Sequence, residues 1–564
     1  MKYKLLLFFL FSQVLFANSL ALFFEGNVQI KKRELYEVLA LHKPYLYEFW
    51  KKEPVANPKT VPLLSQSIKE FYKSRGFFHV VVTHQISDAH ITIIIKENTP
   101  IIVANISVVS EYDISDNIPF SQGAVFDAQK FNQSKKDIKF FYLNKGYCNA
   151  KIEAKTWIDI ETNFAYLYYE TMPEELCYFG EITITPPPNI DAEILKSFLY
   201  TQEKELYSLQ RITQSYKSLY AQEGIAKAII DTNEVNGSSV NLQISVDEVQ
   251  KPIRFLVGAG ASSDEGLMGK MGVKHSNLFG NLKTLSLSTR VTQIKQTIKA
   301  SANMPLVDKN SICSEIGFEN ENFIGYSERG LFANLLLKQR GLKHTFEEGI
   351  VFDYSNTYDS EDQLLFAEGS LFIPSLTLEW GMDTRDKLLE PSRGYFVRAN
   401  IMGSIESKIS DASYYKFNLN GGYIFPLEKS IVAIKAKFGS LNLLSGEIPA
   451  SYRYYTGGMY SNRAYAYRKL GPTNAAGDPT GSDTVFETTL EYRFPIYNNI
   501  RGVAFNDNTV IDNNYLPGFD KIYSSLGLGI RYQTPIGPLA IDFGFDIDNP
   551  KEEYAFHFHI GELF

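Results

Sequence analysis

Arg463 sits among aromatic rings in residues 459–472, Met-Tyr-Ser-Asn-Arg-Ala-Tyr-Ala-Tyr-Arg-Lys-Leu-Gly-Pro, directly after Gly457-Gly458. The guanidinium of Arg463 is a planar fork that can grip a carboxylate with two parallel bonds. Taken alone, the ordinary reading of such a residue is a solvated loop charge. Enzyme chemistry is not spelled out elsewhere: the chain has no His-Glu-x-x-His and no Gly-x-Ser-x-Gly. His557 and His559 share one face of the last alternating segment and read as ordinary inward polar residues, not a metal pair. Gly258-Ala259-Gly260 with Gly266 mimics a phosphate loop, but it lies in a strand pattern with no helix after it, so its glycines read as softening that strand. No catalytic residue, metal or cofactor is expected, and the chain is not read as an enzyme.

The segments around Arg463 alternate apolar and polar residues with period two. Leu376, Leu378, Trp380 and Met382 oppose Thr377, Glu379, Gly381 and Asp383; Leu539, Ile541, Phe543 and Phe545 oppose Ala540, Asp542, Gly544 and Asp546. Such strands fit a barrel with lipid outside, or a soluble sandwich with the apolar face inside. Near Arg463, the alternation puts Phe486, Leu490, Tyr492 and Phe494 on the outer face and Glu487, Glu491 and Arg493 on the inner one. The ~310 residues after Pro252, at about 20 per strand with its loop, give about 16 strands.

The N-terminus begins with Lys2 and Lys4, an apolar run from Leu5 to Phe16, and small residues at Ala17, Ser19 and Ala21. That is the pattern of a secretory signal peptide, residues 1–17, too short to span a bilayer. Beyond it no apolar run reaches spanning length, so an exported chain of this kind is either soluble or a β-barrel. The 564 residues exceed one compact core, and the net charge of −8 disfavours a nucleic-acid partner. The 35 Tyr and 40 Phe suit aromatic girdles at membrane interfaces, although a soluble all-β protein can also be Tyr-rich. Three cysteines make no framework; Cys148 and Cys177 are either a disulfide or two buried thiols, and Cys313 stands apart.

The first half carries a repeat. Phe71-Tyr72 leads to Gly76, Phe141-Tyr142 to Gly146, and Leu219-Tyr220 to Gly224. In the first copy Leu64, Ile68, Phe71 and Tyr72 share one helix face, and the glycine reads as its left-handed cap. Two strands follow each glycine, and a further helix and an opening strand precede each helix, giving β-α-α-β-β units.

These units resemble the POTRA module, with Phe-Glu-Gly-Asn at 24–27 as its opening strand and turn. Further along, Asn277-Leu278-Phe279-Gly280 resembles the turn after the first barrel strand, Asp383-Thr384-Arg385-Asp386 with Pro391 to Tyr395 a mid-barrel signature, and Pro535 to Leu539 the penultimate strand. Glu491-Tyr492-Arg493-Phe494-Pro495 and Phe505-Asn506-Asp507 resemble two strands that receive a lumenal loop. The aromatic stripe of the last strand, ending at Phe564, resembles an outer-membrane recognition signal. Together these resemble the TamA/BamA family of outer-membrane assembly proteins.

The resemblance implies a layout of signal peptide 1–17, POTRA modules at 18–98, 99–173 and 174–250, and a 16-stranded antiparallel transmembrane barrel at 251–564. It implies a lumenal loop motif of Arg463, Tyr465, Gly471 and Pro472, with Arg463 reaching Glu491 and Asp507 on the wall; that pairing requires Phe505 to face the lumen. The family has glycine where this chain has Ala464, so a left-handed backbone there would be strained. It implies a lateral seam between first and last strands, marked by Gly258, Gly260, Gly561 and Phe564. Implied partners are a TamB-like periplasm-spanning protein, unfolded outer-membrane clients and outer-membrane lipid. The implied location is the bacterial outer membrane, with the modules in the periplasm. Two other readings are a two-partner secretion exporter and a passive porin or receptor.

Overall fold

The computed structural model describes residues 19–41, 54–232, 235–363, 365–387, 391–427, 430–497, 499–532 and 539–560. The expected leader, Gly561 and Phe564 lie outside the described residues. No described helix is long and apolar enough to cross a membrane. The chain divides into two compact units, one of residues up to 182 with 202–210 and 232–242, the other of 183–201, 211–231 and 243–564.

In the first module, strand Leu20–Glu25 lies between Val55–Ala56 and His90–Lys96, with Val81–Ile86 at the edge. Helices α1 (Lys32–Val38) and α2 (Val61–Ser74) cover it. Val61, Ile68 and Tyr72 of α2 are buried, and Leu64 and Phe71 pack at the flank. The Glu97 carboxylate accepts the backbone N–H groups of Val28 (3.0 Å), Gln29 (2.9 Å) and Ile30 (3.3 Å) and the Tyr72 hydroxyl (2.8 Å). This fixes the turn at Gly26, where φ is +80° and a Cβ would lie 2.1 Å from the Ile95 carbonyl oxygen. Burial, reinforced by the Glu97 carboxylate, pushes the Tyr72 phenol well above the usual tyrosine range.

The second module pairs Ile102–Val109, Phe164–Met172 and Lys151–Asp159 in that order. Helix α3 (Ala128–Asn144) is capped by Asp127, which accepts from the Gln129 and Lys130 N–H groups. The expected first helix is absent from this module. A single 3₁₀ turn, Ser115–Asn117, stands in its place. Asp113 accepts the Ser115 N–H, and Pro119 forces Ile118 into an extended conformation (φ −107°, ψ 103°). Cys148 and Cys177 form a disulfide with their Cα atoms 5.7 Å apart, which decides between the two sequence alternatives.

The third module has strand Tyr178–Thr185, helices α4 (Ala192–Lys196) and α5 (Leu209–Tyr220), and strands Ile225–Asp231 and Ser239–Glu248, with a short Val235–Asn236. Gly76 and Gly146 are left-handed (φ +92° and +104°), as a helix end requires, but Gly224 is not. Its constraint is a close approach: a Cβ there would meet the Ser276 carbonyl oxygen at 2.9 Å and Leu282 Cδ2 at 2.7 Å. Within the same unit, Asn281 donates to Asn189 O (2.8 Å) and Asp191 Oδ2 (2.7 Å), and the Arg340 guanidinium lies 4.6 Å from the centre of the Phe198 ring.

The barrel strands are β1 (Ile253–Ser262), β2 (Gly266–His275), β3 (Thr284–Val291), β4 (Lys295–Pro305), β5 (Asn310–Phe323), β6 (Tyr326–Arg340), β7 (His344–Tyr358) and β8 (Gly369–Asp383). They continue as β9 (Gly394–Ser404), β10 (Ala412–Leu427), β11 (Ser430–Gly446), β12 (Thr484–Tyr497), β13 (Ile500–Asp512), β14 (Tyr523–Tyr532), β15 (Leu539–Asp546) and β16 (Tyr554–Ile560). All 16 join in one sheet in sequence order. Asn277 to Gly280 therefore follows the second barrel strand, not the first. Two ten-residue strands with a short turn fit before it.

Burial separates barrel from sandwich. A sandwich buries its apolar faces; here Leu376 is 69% exposed and Leu528 66%, while Glu491, Asp507 and Asp542 on the opposite faces are sealed. The apolar faces meet lipid and the polar faces line the lumen.

Candidate functional site

Residues 447–483 join β11 to β12, and their central part is buried inside the barrel. Asn462, Arg463 and Ala464 are fully buried, and Met459, Tyr465 and Leu470 nearly so. Arg463 grips Asp507 bidentately (Nε–Oδ2 2.8 Å, Nη2–Oδ1 2.9 Å) and reaches Glu491 Oε1 at 2.7 Å. Its own N–H donates to Asp507 Oδ2 at 3.2 Å. The guanidinium lies 3.4 Å from the centre of the Phe505 ring, which faces the lumen.

Three features of this cluster were not singled out from the sequence. Asp542 on β15 lies 3.4 Å from Arg463 Nη1, and Arg531 on β14 grips Asp542 at 2.6 and 3.0 Å. Arg493 bonds Glu491 at 2.9 Å. Guanidiniums and carboxylates thus alternate across four neighbouring strands. Gly544 on β15 lets the loop backbone lean on the wall, since a Cβ there would be 2.4 Å from the Arg463 carbonyl oxygen. The alternation marked Asp542 and Gly544 as inward; nothing marked their register against the loop.

Other contacts extend the seat. The Tyr465 hydroxyl donates to Asp546 Oδ2 at 2.6 Å, the Asn462 amide donates to Tyr523 O at 3.1 Å, and Ser461 bonds Glu487. Arg468, which is left-handed (φ +58°), bonds Glu321 at 2.6 Å on the far wall and lies over Phe323 and Tyr455. Gly471 (φ +139°) and Pro472 shape the return limb, where Pro472 O accepts the Thr480 N–H at 3.0 Å; they stand apart from the ion cluster. Ala464 is not left-handed. Its N–H donates to Asn462 Oδ1 at 3.2 Å, a local turn that avoids the strain feared from the missing glycine.

At the seam, Gly258 and Gly260 lie on β1. The nearest atoms to an added Cβ would be Lys270 Cβ at 4.0 Å and Met268 Cε at 3.4 Å, so no clash demands glycine there. Phe255, Leu256 and Val257 are 81%, 52% and 76% exposed, so this strand is covered on neither face. Among the described residues, one main-chain bond links the two ends of the sheet, Ser263 N–H to Phe558 O at 3.4 Å. The described residues contain no group of three or more His, Cys, Asp or Glu suited to a metal.

A model of the Omp85 superfamily domain matches residues 277–564. The chain belongs to the Omp85 superfamily. A POTRA model, surface antigen variable number repeat, matches residues 21–98 and 100–171. This Omp85 protein is an outer-membrane protein whose N-terminal POTRA modules are periplasmic. Its barrel therefore runs from a periplasmic start of β1, which places the β11–β12 loop's attachment on the outer side. The chain is similar to the outer membrane protein assembly factor BamA of Neisseria meningitidis serogroup B, at 20% identity over 96% of this chain and 77% of that one. It is similar to BamA of Nitratidesulfovibrio vulgaris at 20% identity, over 96% and 72%. Among solved structures, BamA from Haemophilus ducreyi lacking POTRA domains 1–3 shares the fold, with TM-score 0.55 and 17% identity over 82% of this chain and 99% of that one.

Proposed function

We propose that this Omp85 protein folds and inserts client β-barrels or autotransporters into the outer membrane, and that clients enter through the seam between β1 and β16. The observation that carries the reading is the first strand: β1 pairs β2 along its whole length, yet Phe255 to Val257 are uncovered on both faces. A client strand brings unpaired backbone groups that lipid cannot satisfy, and a strand edge offers them partners. The loop fixed by Arg463 keeps the lumen shaped while the seam works. In this reading Arg463, Tyr465, Glu491 and Asp507 seat the loop, and Gly258 and Gly260 keep β1 thin and deformable. The periplasmic modules deliver clients, with a TamB-like periplasm-spanning protein as the partner of the arm.

The test is a disulfide across the seam. Ser263→Cys with His557→Cys replaces two side chains whose Oγ and Nδ1 are 3.2 Å apart. In a Cys313→Ser background, the oxidised protein is expected to lose client insertion in proteoliposomes and the reduced form to regain it. The parental protein, with Cys148–Cys177 alone, controls for the reductant. Equal insertion by locked and unlocked barrels overturns the reading. Co-purification of the arm with a long β-rich membrane-anchored protein tests the partner; loss of that protein with no effect on barrel insertion removes it.

A further inference from the structure

We infer that Asp264 is a positioning residue that couples the seating of the lumenal loop to the state of the seam. Asp264 sits in the turn between β1 and β2, and two other segments converge on it. Its Oδ1 lies 3.3 Å from His557 Nδ1 on β16, the last strand. Its Oδ2 accepts the Met459 N–H of the lumenal loop at 3.0 Å. Its neighbour Ser263 places Oγ 3.1 Å from Asp264 Oδ1 and 3.2 Å from His557 Nδ1, and donates its backbone N–H to Phe558 O. Asp264, His557 and Met459 are all buried.

The approach of the loop is built for this contact. Gly458 has φ +107°, and a Cβ there would lie 2.7 Å from Asp264 Oδ2. Any side chain at 458 would push the carboxylate away, so the backbone comes close because residue 458 has none. One carboxylate thus faces the last strand with one oxygen, beside His557 and bonded to the Ser263 hydroxyl that touches it, and holds the loop with the other.

The consequence is reciprocal linkage. When β16 leaves β1, Asp264 loses the imidazole that orients it, and the Met459 N–H loses a fixed acceptor in a site closed to solvent. Opening the seam therefore weakens the loop's hold on that side, and lifting the loop weakens the seam by the same factor. Arg463 on β12, β13 and β15, Arg468 on Glu321 and Tyr465 on Asp546 are not part of this contact, so the loop has anchors independent of the seam and one that answers to it. The inference stands on the geometry alone and does not depend on what passes through the seam.

The test uses the full chain in lipid nanodiscs, in a Cys313→Ser background, with two spin-label pairs read by pulsed electron resonance. Val257→Cys with Phe556→Cys reports the seam, and Tyr460→Cys with Lys299→Cys reports the loop. His557→Phe touches the last strand and not the loop. It is expected to broaden the loop pair as well as the seam pair, with at least a twofold rise in displaced loop. Asp264→Asn keeps an acceptor for the Met459 N–H; in that background His557→Phe is expected to leave the loop pair unchanged. A loop pair that keeps its parental distribution in His557→Phe overturns the coupling, as does an equal response with Asp264→Asn in place. Heat-modifiable mobility on gels confirms that each variant is folded, and His557→Phe alone decides the matter if an Asp264 variant does not fold.

Discussion

Gly544 and Arg463 meet backbone to backbone: the Arg463 carbonyl oxygen occupies the space where a Cβ on residue 544 would stand, 2.4 Å away. The wall is notched at β15, and the loop rests in the notch with its guanidinium turned toward Asp507 and Glu491. The ion cluster is therefore set by a missing side chain as much as by charges.

Gly544→Val is expected to unseat the loop while leaving every charge in place. Arg463→Ala leaves Asp507 without its guanidinium, while Glu491 keeps Arg493 and Asp542 keeps Arg531; removing one partner of a buried ion pair costs on the order of 3–5 kcal/mol. Arg463→Lys keeps the charge but loses the fork, so it should fall between Arg463→Ala and the parent. Urea midpoints of the refolded barrel rank the variants. A Gly544→Val barrel as stable as the parent, with the loop protected from protease, would contradict the notch.

The Cys148–Cys177 disulfide ties the segment after α3 in the second module to the start of the third, and the Cys177 N–H also donates to Gly146 O at 2.8 Å. Closing a loop of 29 residues' separation stabilises the module pair by about 3–4 kcal/mol on chain-entropy grounds. Cys148→Ser should lower the unfolding midpoint of the periplasmic arm and leave the barrel transition where it was. Urea titration of the chain with and without reductant reads both; a shift confined to the barrel would refute the assignment.

The Tyr72–Glu97 bond predicts an alkaline effect on the first module. The folded phenol titrates above the unfolded one, whose ordinary value is 10.0. The stability it contributes is complete below that value and is lost as pH rises beyond it, because the unfolded chain ionises first. The gap in unfolding midpoint between the parent and Tyr72→Phe should therefore be constant from pH 7 to 9 and shrink above pH 10. A gap that widens with pH would reverse the sign and sink the argument.

Much of the barrel was legible because strand side chains alternate with period two, so Glu491 and Arg493 could be placed inward from Leu490 and Tyr492 alone. The loop's cation was legible from its aromatic company and the ordered resemblance around it. Register was not legible. Asp542, Gly544 and Asp264 meet the loop through strand pairings that sequence spacing does not encode. The second module's missing helix followed from Pro119, a local stop that the repeat pattern overrode. Cys148 and Cys177 stayed ambiguous because separation along the chain says nothing about distance across a fold. Ala464 misled in the other direction: a family glycine suggests backbone need, but Asn462 met that need with its side chain.

Without the loop, the wall holds the guanidiniums of Arg493 and Arg531 against the carboxylates of Glu491, Asp507 and Asp542, one negative charge in excess. Arg463 brings the balance to zero. The loop thus gives Asp507 the guanidinium that its own wall does not. The segment that occupies the interior is also a counter-ion to its wall.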